Sequence, residues 1–249
     1  PLSRVKTGIA ELDEMLDGGL LPGTSTLIQG APGVGKTTLG LQFVYEGAQR
    51  YGEPGLFITF EEFPAALYRD ALGLGWDLRA LEEQRRLRIV FTSPEVLLAG
   101  LQATESPITD LIQGWNVKRA VLDTVTAFRH LTTDPVRLRE VYNNLVNGLK
   151  REGLTSLLTS EDRMQTVSLS EQGRLGFVVD GVILMRYVEM NSAMQKALTI
   201  LKMRGINHSR AIRRFEIGPG GIHIKEPFKD WEGILIGASH QRVGLGGLR

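Results

Sequence analysis

The stretch GAPGVGKTT, residues 30–38, concentrates the chemistry of this chain. Glycines at 30, 33 and 35 let backbone N–H groups curl around anionic oxygens, and Lys36 and Thr37 follow at fixed offsets. The spacing G-x-x-x-x-G-K-[ST] is that of a phosphate-binding loop. In that reading Gly30, Ala31, Pro32, Gly33, Val34, Gly35 and Thr38 form the cradle, Lys36 neutralises the outer phosphates, and the Thr37 hydroxyl ligates Mg²⁺. The plain alternative is a glycine-rich turn with a surface lysine. The flanks argue against it: STLIQG ahead reads as a buried strand, and GKTTLGLQFVYEGAQRYG behind reads as a helix.

A nucleotide site of this kind needs a carboxylate for the metal. RAVLDTVTA offers Asp123 at the end of an apolar strand. GLFITFEEFP, residues 55–64, ends another apolar strand in Glu61 and Glu62. Ligands of α/β sheets sit beyond the carboxyl ends of the strands, so a carboxylate there is placed to orient and deprotonate a water attacking the γ-phosphate of ATP. Neighbouring strand residues face opposite ways, so one glutamate does most of that work, and spacing alone leaves open which. Late in the chain, ILKMRG sets Lys202 and Arg204 two apart on a strand, pointing the same way. Such a pair suits stabilisation of phosphate charge, and it equally suits a solvated face.

The positioning elements follow the same logic. RIVF (88–91), RAVLD (119–123) and TSLLTS (155–160) are apolar on both faces, as parallel strands covered by helices are. DPVRLREVYNNLVNGLKREG (134–153) reads as a helix with Asp134 as N-cap, Pro135 at its first position and Gly153 as its stop. Beyond about residue 176 the helices end, and FVVDGVILMRYVE, KALTILKMR, AIRRFEI and GIHI read as strands, with GPGG (218–221) as a hairpin connection. The expected fold is α/β: a mostly parallel central sheet flanked by helices, extended by C-terminal antiparallel strands. One domain is expected over 1–236, with 237–249 as a flexible tail.

At 249 residues with 42% apolar content, a single domain can bury a sizeable core. A net charge of +1 gives no global field for nucleic acid or membrane. No apolar run reaches the roughly 20 residues of a membrane span. The absence of cysteine excludes disulfides and thiolate sites, which fits a cytoplasmic protein.

Together TGIAELDEMLDGGLLPGTSTLIQGAPGVGKTT, GEPGLFITFEE, GWDL, VLDTVT and LKMRGINHSRAIRRFEI resemble the KaiC-like branch of the RecA superfamily, over about residues 6–236. The C-terminal half looks most like the second of the two ATPase domains found in the family's circadian clock members. The resemblance implies an RecA-like ATPase that forms homo-oligomeric rings, commonly hexamers, with ATP at the subunit interface. One subunit would bring the phosphate loop and the acid pair, with Glu61 ranked as the lead base. Its neighbour would bring Lys202 and Arg204, with Met203, Asn207, His208 and Arg210 around the nucleotide. It also implies a polar sensor near Ser160 and a regulatory protein partner. The chain departs from the clock members where they carry an autophosphorylated Ser-Thr pair: Gly176 and Phe177 stand there, and neither accepts phosphate. Ser168 and Ser170 are near but out of register.

Two other functions share this fold. A recombinase-like module binding single-stranded DNA would use basic loops, for which 128–137 (Arg129, Arg137) and 162–176 (Arg163, Arg174) are the candidates, beside the basic runs 84–88 and 212–214. An autokinase or protein kinase would transfer the γ-phosphate to a hydroxyl instead of water.

Overall fold

The computed structural model describes residues 3–161 and 175–228, with the backbone of 231–232 and 240–241. Ser168, Ser170, Arg163, Arg174 and most of 237–249 lie outside the described residues. In the main sheet, β1 (Ser25–Gly30), β2 (Gly55–Thr59), β3 (Leu87–Phe91), β4 (Arg119–Asp123), β5 (Thr155–Glu161) and β6 (Gly181–Met190) pair in parallel. Then β7 (Ala193–Met203), β8 (Arg213–Gly218) and β9 (Gly221–Pro227) continue it antiparallel, in the order β3-β2-β4-β5-β1-β6-β7-β8-β9. A separate two-stranded ribbon pairs Trp231–Glu232 with His240–Gln241.

Apolar runs on the central strands are explained by burial on both faces. Ile28, Phe57, Val121 and Leu157 pack on one face, against Leu39 and Phe43 of α2 (Lys36–Arg50). Their neighbours Leu27, Leu56, Ile58, Leu122 and Leu158 pack on the other, against α5 (Pro94–Gln102) and α7 (Pro135–Arg151). The first cluster also takes in α1 (Ala10–Met15), α3 (Pro64–Gly73) and α4 (Leu78–Glu83), and the second α6 (Pro107–Gly114). Helix α7 starts as its sequence dictates: Asp134 accepts from the Val136 amide at 3.0 Å, Pro135 follows, and Gly153 at φ +72° ends the run.

One residue breaks the apolar rule. Arg119, first in β4, is completely buried. Its Nε donates to Glu53 at 3.1 Å, its Nη1 donates to the Phe43 carbonyl at 3.0 Å, and its guanidinium lies 4.7 Å from the Phe43 ring centroid. Gly47 of α2 makes the room, because a Cβ there would run into the arginine side chain. This buried cation ties α2, which starts at the phosphate loop, to β4, which ends in Asp123.

Candidate active site

The carboxyl ends of β1, β2, β4 and β5 converge on one pocket of about 310 Å³. It is lined from the phosphate loop by Gly33, Gly35, Lys36, Thr37 and Thr38, and from the strand ends by Glu61, Glu62, Asp123 and Glu161. The loop is tightly seated. A Cβ on Gly30 would strike the Met185 carbonyl of β6, and one on Gly35, at φ +119°, would stand 2.6 Å from Ile217 Cδ1. Lys36 folds back to donate to the carbonyls of Gly30 at 2.7 Å and Ala31 at 2.8 Å. The Tyr187 hydroxyl donates to the Gly33 carbonyl at 2.7 Å and steadies the loop from β6.

Asp123 is held at both oxygens. Thr37 Oγ1 donates to Oδ2 at 2.9 Å, and Thr159 Oγ1 of β5 donates to Oδ1 at 2.6 Å. A serine/threonine hydroxyl against a carboxylate, with phosphate oxygens still to come, is a hard all-oxygen donor set that fits Mg²⁺. Among the described residues no cluster of three His, Cys, Asp or Glu side chains could hold a metal by itself.

Both glutamates reach the pocket. Thr59 Oγ1 fixes the turn that bears them, donating to the Glu62 carbonyl at 3.0 Å while accepting from the Glu62 amide at 3.1 Å. Much of Glu62 faces water, but its pocket side is desolvated. That burial first, then repulsion from Asp123, Asp70 and Glu61, raises its pKa above the ordinary 4.5, with Arg69 opposing.

The structure does not bring Lys202, Met203, Arg204, Asn207, His208 and Arg210 to this pocket. Strand β7 runs antiparallel to β6, so its end lies at the opposite edge of the sheet: Met203 pairs with Gly181, Gly181 with Thr26, and Thr26 stands four residues before Gly30. Four residues of strand are already roughly 13 Å at about 3.3 Å each. Arg204 lies past the end of β7, in a turn rather than on the strand, yet both side chains aim at the same segment. Lys202 Nζ donates to the carbonyls of Gly176 at 2.7 Å and Val179 at 3.2 Å, and Arg204 Nη2 donates to that of Phe177 at 3.2 Å. Burial, then the charge of Arg204, lowers the Lys202 pKa from the ordinary 10.5, with Asp180 opposing. Ser209 and His208 sit elsewhere on that edge, the Ser209 amide donating to Met15 of α1 at 2.7 Å.

Residue patterns missed several residues that line or support the pocket. Thr59 and Thr159 read as ordinary strand threonines, and Ile217 arrives from β8, far along the chain. Ser160 is buried, while its neighbours Thr159 and Glu161 reach the site.

A phosphate loop on the central strand of a mostly parallel sheet, with acids on the neighbouring strand ends, defines a RecA-type P-loop nucleotide-binding domain. The family model described as "ATPase: KaiC" matches residues 5–229. This chain belongs to the KaiC ATPase family. It is 36% identical over 230 residues to the circadian clock oscillator protein KaiC of Picosynechococcus sp., covering 90% of this chain and 44% of that one. It is 33% identical to the circadian clock protein KaiC3 of Synechocystis sp., covering 94% and 46%. The chain thus spans about half the length of these curated relatives. The crystal structure of a KaiC-like protein from the hyperthermophilic archaeon Pyrococcus horikoshii superposes with a TM-score of 0.80 at 35% identity, over 91% of this chain and all of that one. No helix among the described residues is long and apolar enough to cross a membrane.

Proposed function

We propose that this chain binds and hydrolyses Mg²⁺-ATP at sites built between copies of itself in a closed ring of six, and that the outcome is regulatory: bound ATP holds the interface and hydrolysis loosens it. One observation carries the reading. Among the described residues lining the pocket, Lys36 is the one cation, against four carboxylates, Glu61, Glu62, Asp123 and Glu161. A triphosphate adds further negative charge, so positive charge must come from outside the pocket. Mg²⁺ at Thr37 and Asp123 would neutralise part of it on the β- and γ-phosphates. The rest falls to Lys202 and Arg204, which cannot reach their own phosphate loop and so serve a neighbour.

In this site Lys36 leaves the Gly30 and Ala31 carbonyls for the phosphates, a short move because the same loop frames both. Glu61 orients the water and takes its proton as the water oxygen bonds to the γ-phosphorus and the bond to the β-phosphate oxygen breaks. Glu62 stands beside it on the same turn. Arg204 and Lys202 of the neighbour meet the charge on the transferring phosphoryl group. The clock identity of its relatives favours a regulatory output in the cytoplasm, heard by a partner protein. No observation favours the DNA or kinase reading.

The test is light scattering and turnover, with and without non-hydrolysable ATP, on wild type and Arg204→Ala. Nucleotide should favour the ring. The variant should still bind nucleotide and turn over about 5- to 30-fold more slowly, as a loss of about 1–2 kcal/mol in the transition state requires. Normal turnover by an assembled Arg204→Ala ring would refute the placement of the cation in trans.

A further inference from the structure

Four large apolar side chains stand in water at the two edges that the composite site would join. Phe63 is 71% exposed, Val96 64% and Phe91 46%, all at the carboxyl edge, and Phe177 is 66% exposed at the other. Phe63 stacks on Phe91 at 5.2 Å between centroids and 18° between planes. Phe91 and Val96 open onto a recess of about 530 Å³, floored by Phe60 and Ala127 and rimmed by Glu61 and Glu95. Glu61 lines both this recess and the phosphate pocket, so the two cavities are adjacent.

Phe177 has the complementary surroundings. Its carbonyl accepts from Arg204, the preceding carbonyl accepts from Lys202, and the Arg139 guanidinium lies 5.9 Å from its ring centroid. The backbone at Phe177 is thus tied to both cations, and a neighbour that carries Lys202 and Arg204 towards a phosphate loop carries Phe177 with them. An apolar ring with Arg139 against it and Lys202 and Arg204 on its backbone faces, on the other edge, an apolar recess that carries Glu61 and Glu95 beside His130. Because the two patches lie on opposite edges of one molecule, the contact is head-to-tail, and such contacts close into rings when the rotation allows.

We infer that the recess beside Phe91 receives Phe177 of a second copy of this chain, seating the cation pair over that copy's acid pair. This rests on the composite site proposed above, and it gives Phe177 a positioning role at the place where clock relatives are phosphorylated.

The chain has no cysteine, so introduced thiols report unambiguously. Phe177→Cys and Phe91→Cys would be mixed one to one, carrying tags of different size, and oxidised mildly with Mg²⁺ and non-hydrolysable ATP. The mixture should give a mixed-tag disulfide dimer that neither variant gives alone; Glu95→Cys repeats the experiment should Phe91→Cys fold poorly. Phe177→Ala, altering an exposed side chain, should keep the monomer folded and need about tenfold or more protein to assemble. Nucleotide-dependent rings with no mixed disulfide from either acceptor, and with Phe177→Ala assembling as wild type, would overturn the peg and leave the composite site standing. Wild-type protein that stays monomeric with nucleotide would overturn both.

Discussion

The two edges of the central sheet are chemical opposites. At the carboxyl edge, four carboxylates and one lysine crowd a single pocket. At the amino edge, Lys202 and Arg204 hold the backbone at Gly176 and Phe177, and Arg139 of α7 reaches the Phe177 ring. A net charge of only +1 conceals this separation. The contrast teaches that the pocket is short of positive charge, and that on the proposed mechanism the missing cations belong to the chain but not to its own pocket. On the mechanism proposed above, a monomer keeps the acids at the carboxyl ends of β2, β4 and β5 and the cations at the end of β7, on the opposite edge of the sheet. Assembly would act as the switch that joins them, which ties turnover to oligomeric state.

The strongest way to break this contrast is to disable one edge at a time. Glu61→Gln should lower turnover by about 10² or more, because the attacking water loses its base while the amide keeps the size of the side chain. Mixing Glu61→Gln with the slowed Arg204→Ala should then restore activity. Wherever an intact Glu61 meets an intact Arg204 from the other variant, the site is whole, and random mixing makes about one interface in four of that kind. A mixture no faster than the average of its components would place both groups in one chain's own site and dissolve the distinction between the edges.

A smaller effect is expected from the scaffold beneath the carboxyl edge. The distance between the phosphate loop and Asp123 is governed by α2 and β4, and Arg119 joins them through Phe43 and Glu53. Arg119→Ala leaves a cavity beneath α2 and strands Glu53, and should cost about 3–5 kcal/mol in urea unfolding. Arg119→Met fills most of the same space without charge and should recover much of that loss. If both variants unfold like wild type, Arg119 does not hold the two elements together.

What could be read in the sequence was local. The phosphate loop, Asp123 and the acid pair each announce themselves within a dozen residues, because a strand end, a glycine turn and a helix start are all short-range features. The α7 caps were legible for the same reason. Arg119 was not: at the head of RAVLD it looks like a solvated strand end, and its burial depends on Gly47, more than seventy residues earlier. Thr159, Thr59 and Ile217 were hidden likewise, since their roles come from strand order. The spacing of Lys202 and Arg204 implied one strand for both, whereas Arg204 lies in the turn beyond β7, though both side chains reach the 176–179 segment. It carried no information on which edge they occupy, because that depends on β7 pairing antiparallel with β6.

The smallest expected effect separates stability from catalysis at the acid pair. Glu62 has its pKa raised in the fold, by partial burial first and by Asp123 next. Between the ordinary value of 4.5 and the raised one, the folded chain binds more protons than the unfolded chain, so stability falls as pH rises through that window. Glu62→Gln removes the penalty. Without nucleotide or Mg²⁺, the variant should melt a few degrees higher than wild type at most near pH 8, and the gap should close as the pH falls towards 4. A variant that is less stable at pH 8, or a gap indifferent to pH, would mean that the carboxylates at this edge do not strain one another. The predicted gain in stability would accompany slower hydrolysis, because the crowding of negative charge that weakens the apo fold is what a metal-bound triphosphate and a neighbour's cations are there to relieve.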